Sequence, residues 1–147
     1  MVSGGGYHSE NLITNPSFES DESWELWDNN AFYVESNLTL LPHSGNRFLN
    51  SQIQNTWVAI QRVAITEPGT YELSAYFASG AIDRWHMLGV VSPDSVWLAS
   101  KTWERASAVM TWERRALTVD IPKPMTVQIQ LGGNWPRIDD VALVRVK

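Results

Sequence analysis

The sequence predicts an all-β protein folded as a single antiparallel β-sandwich. Strand-sized segments alternate with turn residues from about Asn11 onward, and no stretch shows a convincing helical period. The turns recur about every 8 to 12 residues, a spacing typical of a sandwich or barrel. A chain of 147 residues is long enough to build one substantial core.

The predicted strands follow one another with turn signals between them. We place them at 47–50, 56–65, 71–77, 84–91, 115–121, 125–131 and 137–144. Glycine, proline, serine and asparagine mark the turns, which include 44–46, 67–70, 92–94, 122–124 and 132–134. Between Pro93 and Trp112 we expect a loop that carries Trp97 and Trp103 and borders a face of the sandwich.

Alternation predicts which side chains leave the core. Val127, Ile129 and Leu131 share one side of strand 125–131, which leaves Gln128 and Gln130 on the other. The sequence therefore predicts a polar sheet surface behind an apolar core.

Strand 56–65 carries apolar residues on both faces. If Val58 and Ile60 point inward, Trp57 and Gln61 point outward. Tyr76 lies on the polar side of strand 71–77. A face with these residue types suits a sugar, because amides pair with vicinal hydroxyls and flat rings stack on a pyranose. The alternative is an ordinary solvated side of a sheet.

Tryptophan is the unusual part of the composition. Eight tryptophans accompany four phenylalanines and four tyrosines. A core of this size has room for about three or four indoles, so we expect others to be partly exposed. An exposed indole is unfavourable unless something stacks on it.

Charge and cysteine content argue against several functional classes. The formal net charge is −5 and the arginines are scattered, which disfavours nucleic acid as a partner. Without cysteine there is no disulfide, thiolate metal site or cysteine nucleophile. No run approaches the about 18 apolar residues of a membrane span.

Catalytic motifs are missing from the sequence. His8, His43 and His86 do not have the spacing of a metal cluster. There is no Gly-x-Ser-x-Gly elbow and no glycine-rich phosphate loop. No pair of carboxylates stands out for glycoside hydrolysis. We therefore expect a binding protein with no catalytic residues.

Motifs at both ends of the chain resemble a group of carbohydrate-binding modules. The stretch NLITNPSFE at 11–19, followed by Trp24, resembles the opening of families 4, 9, 16 and 22. The stretch IDDVAL at 138–143 resembles their closing strand. The resemblance covers about Asn11 to Val146. It implies a galactose-binding-like jelly roll, in which Trp24 and Trp112 are packing residues.

The resemblance also implies a structural calcium where the two ends of the chain meet. Its ligands would be two carboxylates and nearby main-chain oxygens, at Glu19, Asp139 and near Ser17, His43 and Asn46. Asp139 is preferred to Asp140 because it is expected to share a face with Val141 and Leu143. Oxygen ligands of this kind suit a hard dication. The alternative is that these are solvated turn residues.

The expected glycan-binding residues combine stacking rings with hydrogen-bonding side chains. The stacking candidates are Trp57, Tyr76 and Trp85, with Trp135 exposed in the turn 132–136. The hydrogen-bonding candidates are Gln61, Arg84, Gln128 and Gln130. The sequence does not decide whether the site takes internal stretches of a glycan or chain ends.

The expected organisation is a linker or junction at 1–10 and a binding module at 11–147. The resemblance implies a secreted, extracellular, monomeric bacterial module that binds β-glucan or xylan, with mannan less favoured. Its partner would be the catalytic domain of the same parent chain, with no nucleic acid and no membrane. Two alternatives stay open: an adhesive or structural domain of a surface or phage-tail protein, and a small polysaccharide lyase or hydrolase.

Overall fold

Two antiparallel five-stranded sheets form the protein in the computed structural model, which describes residues 10–27, 31–35, 40–51 and 56–147. The strands are β1 (Glu25–Leu26), β2 (Ala31–Glu35), β3 (Arg47–Ser51), β4 (Thr56–Ile65), β5 (Gly69–Ala78), β6 (His86–Val91), β7 (Trp97–Trp103), β8 (Glu113–Ile121), β9 (Met125–Gly133) and β10 (Arg137–Arg145). The first sheet has the order β1-β4-β9-β6-β7 and the second β2-β3-β10-β5-β8. The predicted β-sandwich is confirmed.

The described part of the chain contains no helix with the length and apolar character needed to cross a membrane. Residues 1–9 of the predicted linker lie outside the described residues.

Three strands were not predicted, and β7 is the one that matters for the site. It occupies the segment where a loop was expected, at the edge of the first sheet. None of its residues is fully buried, so its sequence lacks the apolar alternation of a half-buried strand. Because β7 lies at the edge of its sheet, the sequence shows no pattern that predicts this strand.

The core lies between the two sheets. Val127, Ile129 and Leu131 of β9 are fully buried there, as alternation predicts. Phe77 and Leu73 face them from β5 of the second sheet. Closely packed interiors of this kind fix the relative position of the two sheets.

The segment 11–19 ties the start of the described chain to β10. Leu12 N–H donates to the Leu143 carbonyl at 2.9 Å, and Val141 N–H donates to the Pro16 carbonyl at 2.9 Å. Phe18 is fully buried against Trp24, with ring centroids 5.2 Å apart. The two ends of the described chain therefore meet, and Trp24 packs in the core as expected.

A β-bulge changes the faces of β4. Trp57 pairs with Gly132 of β9, but Ala59 pairs with Leu131, so Val58 is an extra residue. Beyond the bulge, Ile60 lies on the same face as Trp57, and Gln61 lies on the opposite face. The prediction that Trp57 and Gln61 share an outward face is therefore wrong.

The two outer faces, meaning the sides that each sheet turns away from the other, are covered differently. On the second sheet a small cluster of buried Leu40, Phe48 and Ala78 covers part of this face, packed against Met110 and Trp112. Trp112, expected in the main core, belongs to this outer cluster. Among the described residues, the outer face of the first sheet carries no such buried cluster, and we call it the open face.

Candidate functional site

Two indole rings meet on the outer face of the first sheet. The rings of Trp57 and Trp97 are stacked with centroids 5.3 Å apart and an interplanar angle of 29°. Trp97 is 47% exposed. Because stacking covers one face of each ring, the exposed aromatic surface of this pair is mainly that of Trp97. We call the pair the Trp57–Trp97 platform.

Gly89 lies under the platform, and its lack of a side chain makes room for it. A Cβ at this position would lie 2.5 Å from the Trp97 ring and 3.2 Å from the Trp57 ring. Such approaches are too close for real side chains. Glycine therefore allows the two rings to lie against the backbone of β6.

The strand registers explain how two distant tryptophans converge. Trp57 faces Gly132, and Trp97 pairs with Val91 across the edge of the sheet. A register shift between Val90 and Val91 accompanies this pairing. Both rings lean toward Gly89, which lies between their rows, and they meet above it.

Two glutamines lie on the same face beside the platform. Gln130 pairs in register with Gly89, and its Nε2 donates to the Gln128 Oε1 at 2.6 Å. The Gln130 Oε1 is buried and has no hydrogen-bond partner. An unpaired buried acceptor is unfavourable unless a ligand or water donates to it. As predicted, both glutamines lie opposite the core face of β9.

A polar depression continues from Gln128 toward the far end of the face. It has a volume of about 310 Å³ and is lined by residues that include Arg62, Ser92, Ser95 and Gln128. On the edge strand β1, Glu25 accepts from Arg62 Nη1 at 3.1 Å and from Trp27 Nε1 at 3.2 Å. The face therefore offers donors and acceptors beside the platform.

Gln61 has a structural role instead of the predicted ligand-binding one. Its Oε1 accepts from the Thr14 main-chain N–H at 2.9 Å, and its Nε2 donates to the Thr14 carbonyl at 3.0 Å. The side chain is 5% exposed. The bulge in β4 turns Gln61 away from the outer face, where it anchors the segment 11–19.

Tyr76 does not share a face with Trp57, because β5 belongs to the second sheet. Its ring is stacked on His43, with centroids 3.7 Å apart. The prediction of one face carrying both rings is therefore wrong. Alternation gives the face of a strand, but it does not tell which sheet the strand joins.

The other predicted ligand residues gather at one end of the sandwich. The Arg84 guanidinium lies over the Trp135 ring, 4.4 Å from its centroid, and Nη1 donates to Asn134 Oδ1 at 3.3 Å. Trp135 is 41% exposed. The half-buried Trp85 accepts a main-chain hydrogen bond from Asn134 at 2.9 Å. These residues form a group distinct from the Trp57–Trp97 platform.

The predicted calcium ligands come together around the loop 43–47. Both oxygens of Glu19 accept main-chain N–H bonds, from Asn46 at 2.9 Å and from Arg47 at 3.0 Å. A Cβ at Gly45, where φ is +64°, would lie 2.6 Å from the Glu19 carboxylate. Glycine therefore lets the loop close around this side chain.

Asp139 is the buried carboxylate of this region. It accepts main-chain bonds from Ser44 at 3.1 Å and Asp140 at 2.9 Å, and burial raises its pKa to about 7. Register places Asp139 on the face of Tyr76, because a bulge precedes Ala142. The expectation that it shares a face with Leu143 is therefore wrong, although it is fully buried.

The neighbouring Asp140 collects three side-chain donors. Ser17 Oγ donates at 2.5 Å, Ser44 Oγ at 2.6 Å, and His43 Nδ1 lies 2.5 Å from the other carboxylate oxygen. Burial alone would raise the pKa of Asp140, but these hydrogen bonds outweigh it and lower the pKa. Asp140 therefore stays ionised and fixes the side chains of Ser17 and His43.

The donor set fits a calcium ion in chemical kind. Asp139 is a buried carboxylate whose hydrogen-bond partners are neutral, and Glu19 lies against the same loop. A hard cation with oxygen ligands would offset the cost of burying this charge. Within the described ranges, no three His, Cys, Asp or Glu side chains are grouped to hold a metal. An ion here would therefore depend on main-chain oxygens as well.

A buried serine–histidine pair between the sheets is arranged unlike a nucleophile and its base. Ser79 Oγ and His86 Nε2 are 2.6 Å apart, and Arg115 Nε donates to His86 Nδ1 at 3.3 Å. Because Nδ1 accepts, Nε2 carries the proton and donates it to Ser79. His86 and Ser79 are both fully buried, so this pair has no access to a substrate.

The sequence matches no protein-family model, and no curated protein matches it. A family 61 carbohydrate-binding module in complex with β-1,4-galactotriose is similar in structure, with a TM-score of 0.74 and 19% identity. The match covers 93% of this chain and 99% of that chain. The chain has the jelly-roll fold of carbohydrate-binding modules.

Two further structures show how widely this fold is used. A family 16 carbohydrate-binding module has a TM-score of 0.63 and 16% identity over 92% of this chain and 100% of its own. A cyclase from Fischerella sp. TAU has a TM-score of 0.70 and 16% identity over 92% of this chain and 96% of its own. The carbohydrate-binding-module fold therefore does not by itself settle function.

Trp97 is the main site residue that sequence reasoning missed. It was placed in a loop bordering the face, but it belongs to β7 and completes the platform. Gly89 was the available signal. A glycine inside an apolar strand indicates that another group approaches the backbone closely.

We predict that His86 titrates far below an ordinary histidine. Burial, followed by the Arg115 charge, lowers its pKa from 6.5 to about 4, while Glu113 acts in the opposite direction. The unfolded state therefore takes up the proton first. His86 should cost the folded state about 3 kcal/mol of stability as the pH falls from about 6.5 to 4.

An NMR titration of the imidazole, assigned with the His86→Gln variant, measures this pKa directly. Urea unfolding at pH 7 and pH 4 should show a larger stability loss in the wild type than in His86→Gln. An imidazole pKa near 6.5 would show that the pair is solvated and would contradict the geometry.

Proposed function

We propose that this chain is a non-catalytic module that binds a β-linked polysaccharide on the outer face of the first sheet. The observation that carries the proposal is the Trp57–Trp97 platform over Gly89, beside the glutamine amides of β9. The similarity in fold to carbohydrate-binding modules supports the same conclusion.

The chemistry of this face matches that of a sugar. Exposed Trp97 offers a flat apolar surface to the C–H face of a pyranose, and half-buried Gln128 lines the adjoining depression, where its amide can meet the sugar hydroxyls. By analogy with base stacking, each ring contributes about 1–3 kcal/mol. Two rings with a few hydrogen bonds would reach a dissociation constant of about micromolar.

The ligand and context are further parts of the proposal. The sequence resemblance favours β-glucan or xylan, and the galactotriose in the family 61 complex adds β-1,4-galactan to the candidates. We propose that the chain acts as a monomer outside the cell. There it would hold an attached glycan-degrading domain on its substrate.

We also propose that a calcium ion stabilises the junction of the chain ends. Glu19 and Asp139 would supply carboxylate oxygens, with main-chain oxygens near Ser17, His43 and Asn46. Burial of the Asp139 carboxyl raises its pKa to about 7, so its negative charge is unfavourable there. This supports the proposal, because a nearby dication would stabilise the ionised form. When bound, the ion would hold the loop 43–47 against β10 and take no part in glycan binding.

We predict that Trp57→Ala and Trp97→Ala each weaken glycan binding at least tenfold, because Trp97 supplies the exposed ring and Trp57 holds that ring in place by stacking on it. Calorimetry against soluble β-glucan, xylan, mannan and β-1,4-galactan measures the loss. Phe32→Ala is a matched control, because Phe32 is 40% exposed but lies on β2 of the second sheet.

Three outcomes would contradict the binding proposal. Failure of the wild type to bind any polysaccharide in the panel would favour the adhesive alternative. New reducing or unsaturated ends in the incubated glycan would favour a lyase or hydrolase. Retained affinity in both tryptophan variants would place the site elsewhere.

We predict that calcium raises the melting temperature by several degrees relative to EDTA. An ion at about 100 times its dissociation constant adds about 2.7 kcal/mol to stability. Glu19→Gln and Asp139→Asn should abolish the shift. Asp21→Asn should retain it, because the Asp21 carboxylate is 81% exposed and pairs with Arg47. Identical melting curves in calcium and EDTA would overturn the calcium proposal.

A further inference from the structure

Two arginine side chains lie together at one end of the sandwich, apart from the Trp57–Trp97 platform. Arg84 precedes β6, and Arg137 begins β10. A Cβ at Gly80, four residues before Arg84, would lie 3.6 Å from Arg137 Nη1. Burial and then the Arg84 charge lower the pKa of Arg137, so the two guanidinium groups repel each other.

Carboxylates compensate the charges of these two guanidinium groups only weakly. Arg84 Nε and Arg137 Nη1 are buried without an acceptor. The nearest carboxylate to Arg84 is Asp83, 4.0 Å away and 83% exposed. Within the described residues, no ion pair involves Arg137. In a chain with a net charge of −5, two adjacent guanidinium groups with only one long, exposed ion pair, Arg84–Asp83, are unexpected.

Trp135 supplies a ring at the same place. Arg84 lies 4.4 Å from the Trp135 centroid, while 41% of Trp135 is exposed. The turn holds Trp135 at a φ of +51°, a strained value for this residue. Asn134 Oδ1 accepts from Arg84 Nη1 at 3.3 Å, which orients the guanidinium. We call Arg84, Trp135 and Arg137 the arginine corner.

We propose that the arginine corner binds the oxyanion of an acidic sugar residue, a carboxylate or a sulfate ester, with Trp135 beside the sugar ring. The Arg84 side chain is 25% exposed, so part of its guanidinium fork is open to two oxygens of such a group. The negative charge of the anion would offset the repulsion between the two arginines. Trp57 pairs with Gly132, which lies just before the turn that carries Trp135. The arginine corner therefore lies at the Trp57 end of the open face. The inference rests on the proposed glycan binding and extends it to acidic polymers.

Calorimetry with matched neutral and acidic glycans tests the corner. The probes are β-1,4-galactan, polygalacturonate and a sulfated galactan of similar length. We expect at least tenfold tighter binding of one acidic polymer than of neutral galactan at low salt, and a loss of this preference at high salt. The two acidic arms distinguish a carboxylate from a sulfate.

Charge variants assign the preference to the corner. Arg84→Gln and Arg137→Gln should each remove it and leave galactan affinity unchanged. Arg137→Lys, which keeps the charge but not the fork, should restore part of it. Arg114→Gln is the control, because Arg114 is 47% exposed and already pairs with Glu72 at 2.6 Å. Thermal melts establish that each variant is folded.

The outcomes separate this inference from the proposed function. Trp57-dependent binding of galactan with no preference for acidic polymers would overturn only the proposal that the arginine corner binds an oxyanion. Acid binding that needs Arg84 and Arg137 but not Trp57 would support the corner and overturn the open face as the main site. A preference that survives both arginine variants would also overturn the corner.

Discussion

Close approach to the backbone at Gly89 is the constraint on which the open face depends. Any side chain there would occupy the space in which the Trp57 and Trp97 rings meet. Two irregularities aim those rings at it: the extra residue in β4 and the register shift between β6 and β7. Bulges often re-aim side chains next to functional sites, and here they aim both indoles at one glycine.

Hydrogen bonds of two segments fix the strands behind this face. Segment 11–19 is bonded to β10 and to Gln61 of β4. The loop 43–47 closes around Glu19 and Asp139 with main-chain donors. These contacts connect strands from both sheets. The proposed binding face is therefore built on a well-packed core, which would lower the entropic cost of holding a ligand.

Some of the architecture was readable from sequence because alternation is a local property. The faces of β9 were predicted correctly, since that strand runs without a bulge beside the glutamines. The end motifs correctly brought Glu19 and Asp139 to one loop. Gln61 was misplaced because one inserted residue reverses every later face of a strand.

Other features depend on tertiary structure that no local pattern carries. Tyr76 was assigned to the wrong surface because sheet membership follows from topology. Trp97 was read as a loop residue because an edge strand has little apolar pattern to reveal it. Arg84 and Arg137 are more than 50 positions apart in the sequence, and only the folded turns bring their like charges near each other.

An NMR titration of the tryptophan indole N–H signals tests the central claim most directly. With a β-linked oligosaccharide that the protein binds, the indole signals of Trp57 and Trp97 should shift together and saturate with one dissociation constant. Those of buried Trp24 and of Trp112, bonded to the Leu41 carbonyl, should stay in place. Saturation of binding with the Trp57 and Trp97 signals unchanged would contradict the account.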